Sequence, residues 1–170
     1  MSLQNLGVVA VLAIVSIGTS LASDDWLLRE TGIGPVKVGM SLSQLNAVLH
    51  EKFSMPESKD DQGCFYVNPT RHPHVALMIE DGRLARIDVD GPGVATAEGI
   101  QVGDSEARVL QVYGSRLKVE PHAYTGPEGH YLTVRSKSGR YGIRFETDKG
   151  KVETFYAGRF KAVQYIEGCL

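Results

Sequence analysis

The chain has no excess of charge of either sign: 18 Lys and Arg stand against 20 Asp and Glu, a formal net charge of −2. Nucleic-acid binding wants a strongly basic face, so no nucleic-acid partner is expected. Cysteine is scarce, with only Cys64 and Cys169. Metal ligands are scarce as well. His72-Pro73-His74 supplies two imidazoles, and no third ligand cluster with metal spacing accompanies them. No cofactor is therefore expected. What is present is an ordinary globular balance, 42% hydrophobic and 22% charged, unlike that of a disordered chain.

The N-terminus lacks charge altogether between Leu6 and Ala22, and Val8 to Ile17 is a nearly unbroken apolar run. Ser20-Leu21-Ala22 places small residues at the −3 and −1 positions of a cleavage site. Residues 1–22 read as a secretory signal peptide removed before Ser23, although Met1 to Asn5 hold no Lys or Arg. The other reading is a retained anchor, since the run is just short of a spanning helix. No cysteine near the cleavage site offers a lipid anchor. The expected location is thus periplasmic or secreted, with membrane association only if the segment is retained. In an oxidising compartment Cys64 and Cys169 most simply pair, the alternative being two unpaired thiols. Pairing would close a loop of about a hundred residues, stabilising the fold by roughly 4–5 kcal/mol in the chain-entropy model. It would also leave neither thiol for nucleophilic or metal chemistry.

One segment occurs twice. Val36-Lys37-Val38-Gly39-Met40-Ser41 and, roughly sixty residues later, Ile100-Gln101-Val102-Gly103-Asp104-Ser105 each lead into an amphipathic stretch. Aligned on the glycines, Leu45 falls on Val109, Val48 on Val112 and Leu49 on Tyr113. Ser41 with Gln44 forms a capping box, and the helix it opens should end before Ser54. The second helix should run from Asp104 or Ser105 to Tyr113 and stop at Gly114. Alternating residues predict strands at Cys64 to Val67, Val75 to Ile79 and Ala85 to Val89, with an Asp81-Gly82 turn between the last two. Further strands are expected at Lys118 to Pro121, His130 to Arg135, Arg140 to Thr147 and Lys151 to Ala157. Gly91-Pro92-Gly93 reads as a boundary, and Tyr165 to Leu170 as a tail.

The fold class expected is α+β: two tandem modules, each a helix packed on an antiparallel sheet of three to four strands. The first module spans 23–92 and the second 93–170, with the tail tied back to the first. The core face should hold Phe65, Val67, Val75, Leu77, Ile79, Ile87, Val89, Leu132, Val134, Ile143, Phe145 and Phe155. The opposite face should carry Tyr66, Met78, Arg86, Tyr131, Thr133, Arg135, Arg144, Thr154 and Tyr156. The expected state is a monomer.

A Val/Ile-x-x-Gly-Met-Ser/Thr motif opening a helix, repeated in tandem after a signal peptide, resembles two related groups. One is the secreted β-lactamase inhibitor protein family, built from two such modules. The other is the single-module SmpA/OmlA-type outer-membrane assembly lipoproteins. Val38-Gly39-Met40-Ser41 is close to their signature, and Val102-Gly103-Asp104-Ser105 is looser. In the inhibitors a loop after the first Cys-bearing strand inserts a carboxylate into the target. The loop at that place here, Asn68 to His74, carries Arg71, His72 and His74 but no acid, which implies a different target. Ser138-Gly139-Arg140-Tyr141 resembles the short Ser-Gly-x-Tyr loop of some periplasmic lysozyme inhibitors, and it also suits a plain hairpin turn.

Several constellations carry two readings. Ser105 reads as a helix cap, against a nucleophile that would need His122 or His130 as base. Asp88 and Asp90 alternate on one strand, as solvated strand-end residues or as paired carboxylates. Tyr66, Tyr131 and Tyr156, interleaved with Arg86, Arg135 and Arg144, are residue types enriched at interface anchors and also tolerated on a solvated sheet. The candidate contacts are therefore Tyr66, Asn68, Arg71, His72, His74, Tyr131, Arg135, Arg144 and Tyr156. The functional expectation is an exported protein-binding module without catalysis, an inhibitor or immunity protein against an envelope enzyme such as a β-lactamase or peptidoglycan hydrolase. A structural or assembly factor of the envelope is the alternative, and a small hydrolase a remote one.

Overall fold

The computed structural model describes residues 26–169, so the expected signal peptide lies outside the described residues. The helices form where local chemistry is strongest. Ser41 Oγ accepts from the Gln44 N–H, and the Gln44 side chain accepts from the Ser41 N–H, a closed capping box. Helix α1 (Leu42–Leu49) follows and stops at His50, which takes a left-handed conformation. Ser105 Oγ caps α2 (Glu106–Tyr113) by accepting from the Arg108 N–H, without the reciprocal arm of a box, and Gly114 ends it at φ 54°. Leu45 and Val109, matched across the two copies, are both fully buried.

Each helix entry is pinned by the same backbone exchange. Gly39 N donates to Leu84 O, and Leu84 N to Met40 O. Gly103 N donates to Val152 O, and Val152 N to Asp104 O. Leu84 and Val152 each stand just past a tight turn, Asp81-Gly82 and Lys149-Gly150, whose residues all have positive φ.

Seven strands make the main sheet: β4 (Cys64–Val67), β5 (Val75–Glu80), β6 (Arg83–Val89), β8 (Leu117–Pro121), β9 (His130–Arg135), β10 (Tyr141–Asp148) and β11 (Lys151–Arg159). Their order is β4-β5-β6-β11-β10-β9-β8, antiparallel throughout. Where the sequence suggests one sheet per helix, the three strands after α1 and the four after α2 join across β6 and β11, with Val89 opposite Phe155 and Ile87 opposite Ala157. That pairing satisfies two strand edges that would otherwise stand open. A small second sheet, absent from the sequence reading, is formed by β1 (Leu27–Arg29), β2 (Gly32–Ile33), β3 (Val36–Lys37) and β7 (Ala95–Thr96). Its strands are too short for alternation to show.

The architecture is α+β, with one main apolar core. Leu45, Val109 and Tyr113 from the helices meet Leu77, Ile87, Leu132, Phe145 and Phe155 from the sheet, and every expected core-face residue is buried. The opposite face is not open. The chain leaves β11 at Arg159 and crosses back over the sheet as a strap, Phe160 to Cys169, with a 3-10 turn at Ala162–Gln164. Ala162 and Val163 are fully buried against it. Cys169 forms a disulfide with Cys64, their Cα atoms 5.3 Å apart, fastening the strap to edge strand β4. Among the described residues no helix is long and apolar enough to cross a membrane.

Candidate functional site

The candidate residues divide between a closed face and an open loop. Beneath the strap, cross-strand register places Arg144 beside Tyr156 on the next strand, and Tyr156 beside Asp88 on the one beyond. Guanidinium and phenol planes layer there. Arg86 lies 4.2 Å from the centre of the Tyr156 ring, and Arg144 lies 4.9 Å from that of Tyr131. The Arg86 fork donates to both oxygens of Asp88 at 2.7 and 2.8 Å, to the Tyr66 hydroxyl at 2.7 Å and to Ala162 O at 3.1 Å. Arg144 donates to Thr133 Oγ1 at 2.9 Å and to Gln164 Oε1 of the strap at 2.6 Å. Tyr156 donates to Glu146 at 2.7 Å, and His122 Nε2 lies 3.3 Å from the same carboxylate.

This corrects the expectation of an accessible Tyr/Arg face. Tyr131, Arg144 and Tyr156 are 5%, 4% and 3% exposed, so they cannot meet a partner while the strap is seated. Two buried guanidiniums need acceptors, and the strap's carbonyls and amide supply them. The enclosure is felt in the ionisation. Burial raises the Asp88 carboxyl despite Arg86 beside it. Burial and the Asp88 charge push the Tyr66 hydroxyl up to about 12, and burial with Glu146 raises Tyr156. Tyr66 stays exposed at the sheet edge. Arg135 donates to Gly139 O at 2.9 Å and lies 4.2 Å from the Phe160 ring, clamping the Ser138-Gly139 turn onto the start of the strap.

The Asn68–His74 segment is the open element, and it is braced. Thr70 donates from its N–H to Glu51 Oε1 at 2.8 Å and from its hydroxyl to Oε2 at 3.0 Å. Pro69 O accepts from His72 N, and His72 O from Val75 N, folding the loop on itself. The His72 ring stacks on Trp26 with centroids 3.4 Å apart and planes at 23°. His74 Nδ1 lies 3.2 Å from Asp90 Oδ1. Pro69 is buried, whereas Asn68, Arg71 and His74 are exposed and His72 half-buried. Burial, and then the charge of Arg71, hold the His72 imidazole below the usual histidine value, which keeps it neutral at pH 7.

The Trp26–His72 stack stands as a ridge between two hollows. One, about 160 Å³, has walls of Trp26, Pro35, Val48, Leu49 and Pro69 and a rim of His50, Glu51, Arg71 and His72. The other, about 350 Å³, lies against Leu27, Gly93, Ala95 and Gln101. Trp26 and Glu51 are the site residues that sequence reasoning missed. The only signal for Trp26 was its being the single tryptophan in the chain. A lone Glu such as Glu51 carries none.

The remaining constellations are engaged as follows. Ser105 Oγ accepts from Arg108 N as a helix cap, while His122 pairs with Glu146 and His130 with Glu106, so no histidine engages Ser105 among the described residues. Asp88 is held by Arg86, and Asp90 faces His74. Among the described residues no group of three His, Cys, Asp or Glu is arranged to hold a metal ion. In comparisons with known proteins the chain matches no family model, no curated protein and no solved structure.

Proposed function

We propose that the chain is an exported protein-binding module of the cell envelope that engages its partner through the Asn68–His74 loop and the Trp26–His72 ridge. The observation that carries this reading is the brace: Glu51 holds Thr70 through both carboxylate oxygens while Arg71 projects outward. An exposed loop that is already ordered loses little entropy on binding, and preorganisation of that kind raises affinity. The disulfide supports export, since such bonds persist in oxidising compartments. Inhibition of, or immunity to, an envelope-directed enzyme such as a β-lactamase or peptidoglycan hydrolase is the sharpest form of the proposal. It takes its motivation from the resemblance in the repeated helix entries.

The test passes envelope extract over the immobilised, disulfide-intact protein, beside Arg71→Ala and Trp26→Ala variants. A saturable protein partner captured by the wild type and lost with both variants is expected. Absence of any saturable partner overturns the reading. An outer-membrane permeability defect on deletion, without inhibition of any hydrolase, favours an assembly factor instead.

A further inference from the structure

Resting on that loop reading, we infer that the hollow beside the ridge takes one large apolar side chain of the partner, and that Arg71 takes a carboxylate next to it in the partner's sequence. The volume, about 160 Å³, suits one such side chain and no larger ligand. Indole, two proline rings, a valine and a leucine form its walls. An apolar side chain entering it leaves water without stranding a polar group, which is how interface anchors contribute most of their energy.

The rim sets the charge. Glu51 keeps its negative charge on the rim, but both of its oxygens are turned to Thr70. His72 is occupied by its stack on Trp26 and is neutral at pH 7, because burial and Arg71 lower its pKa. Arg71 is exposed and makes no hydrogen bond or ion pair among the described residues, yet its charge is close enough to be felt at His72. His50, also exposed on the rim, offers at most its two ring nitrogens, so Arg71 is the rim group with the most donors to spare. A guanidinium fork matches a carboxylate bidentately. A cationic neighbour on the partner would instead meet Arg71 head on.

Trp26, the only tryptophan in the chain, reports on the hollow directly. The probes are N-acetyl-Phe-Glu-amide, N-acetyl-Phe-Gln-amide and N-acetyl-Phe-Lys-amide, titrated into the disulfide-intact protein while Trp26 emission is followed. The Glu probe should give a saturable change and bind most tightly, and the Lys probe should bind most weakly. Arg71→Ala, an exposed substitution that spares the core, should weaken the Glu probe by about two- to fivefold, as for a rim ion pair. No saturable change, equal or tighter binding of the Lys probe, or wild-type affinity in Arg71→Ala each overturns the inference. The two levels separate cleanly. Loss of envelope capture in the variants without any response to the Glu probe overturns the assigned chemistry and leaves the loop reading standing. A response that follows the predicted order without envelope capture supports the chemistry and removes the loop reading.

Discussion

His72 joins the braced loop to Trp26, and its ionisation works against that contact. Burial and Arg71 lower its pKa, so the folded protein resists the proton that the unfolded chain accepts near 6.5. The unfolded state thus binds more protons in the window between the lowered value and 6.5. Stability contributed at this site rises with pH through that window and is lost as pH falls through it. Trp26 emission should accordingly titrate on the acid side of 6.5, and Arg71→Ala should move the midpoint upward by removing a positive neighbour. A midpoint at or above 6.5 in the wild type would contradict this account. Arg86 is the opposite case, a charge wholly dependent on its partners. Arg86→Ala leaves the partly buried Asp88 carboxylate without its cation, with only the Tyr66 hydroxyl donating to it, and should destabilise the fold by about 3 kcal/mol in urea denaturation. Arg86→Met combined with Asp88→Leu removes both charges and should recover part of that loss.

Elements are legible in proportion to how local their causes are. Ser41 with Gln44 and Ser105 before Glu106 announce helices because a cap is settled within four residues. Asp81-Gly82 announces its hairpin because the turn alone demands positive φ. Strands of two or three residues such as β2 and β7 show no periodicity, and only their neighbours order them. The two lone cysteines announce that the tail ties back to Cys64, but not that it crosses the sheet face as a strap. Arg86, Arg144 and the tyrosines alternate as a solvated face should, and nothing near them in sequence says that Ala162 O and Gln164 Oε1 will arrive to bury them. Pro69 and Pro73 announce a loop at Asn68 to His74, but the brace from Glu51 is a tertiary contact across nineteen positions. Because Ser105 is a cap, Ser105→Ala should cost about 1 kcal/mol of stability. It should leave the response to the Phe-Glu probe unchanged, and loss of any hydrolytic activity with that variant would return the serine to catalysis.

At the scale of the molecule, the disulfide spans 105 positions and holds the strap's far end. Cys64→Ala with Cys169→Ala should lower stability by roughly 4–5 kcal/mol in the chain-entropy model. Limited proteolysis should then cut first between Phe160 and Cys169, since the strap's far end would lose its covalent tie and keep only side-chain and backbone contacts such as Tyr165 to Glu80, Arg144 to Gln164 and the Ala162-Val163 plug. Cleavage elsewhere first would mean that the plug suffices without the bond.

The junction of β6 with β11 has a bearing on how the chain can be divided. Each half, taken alone, would present a long hydrogen-bonding edge at what is now the middle of the sheet. Severing the chain at Gly91-Pro92-Gly93 should therefore produce fragments that are sticky apart and complementary together. Co-expressed, they should recover the seven-stranded sheet and co-purify. Expressed singly, each should aggregate or pair with itself. The segment that reads as a boundary in sequence is in that sense a hinge between two obligate partners, and recovery of either half as a soluble monomer would show otherwise.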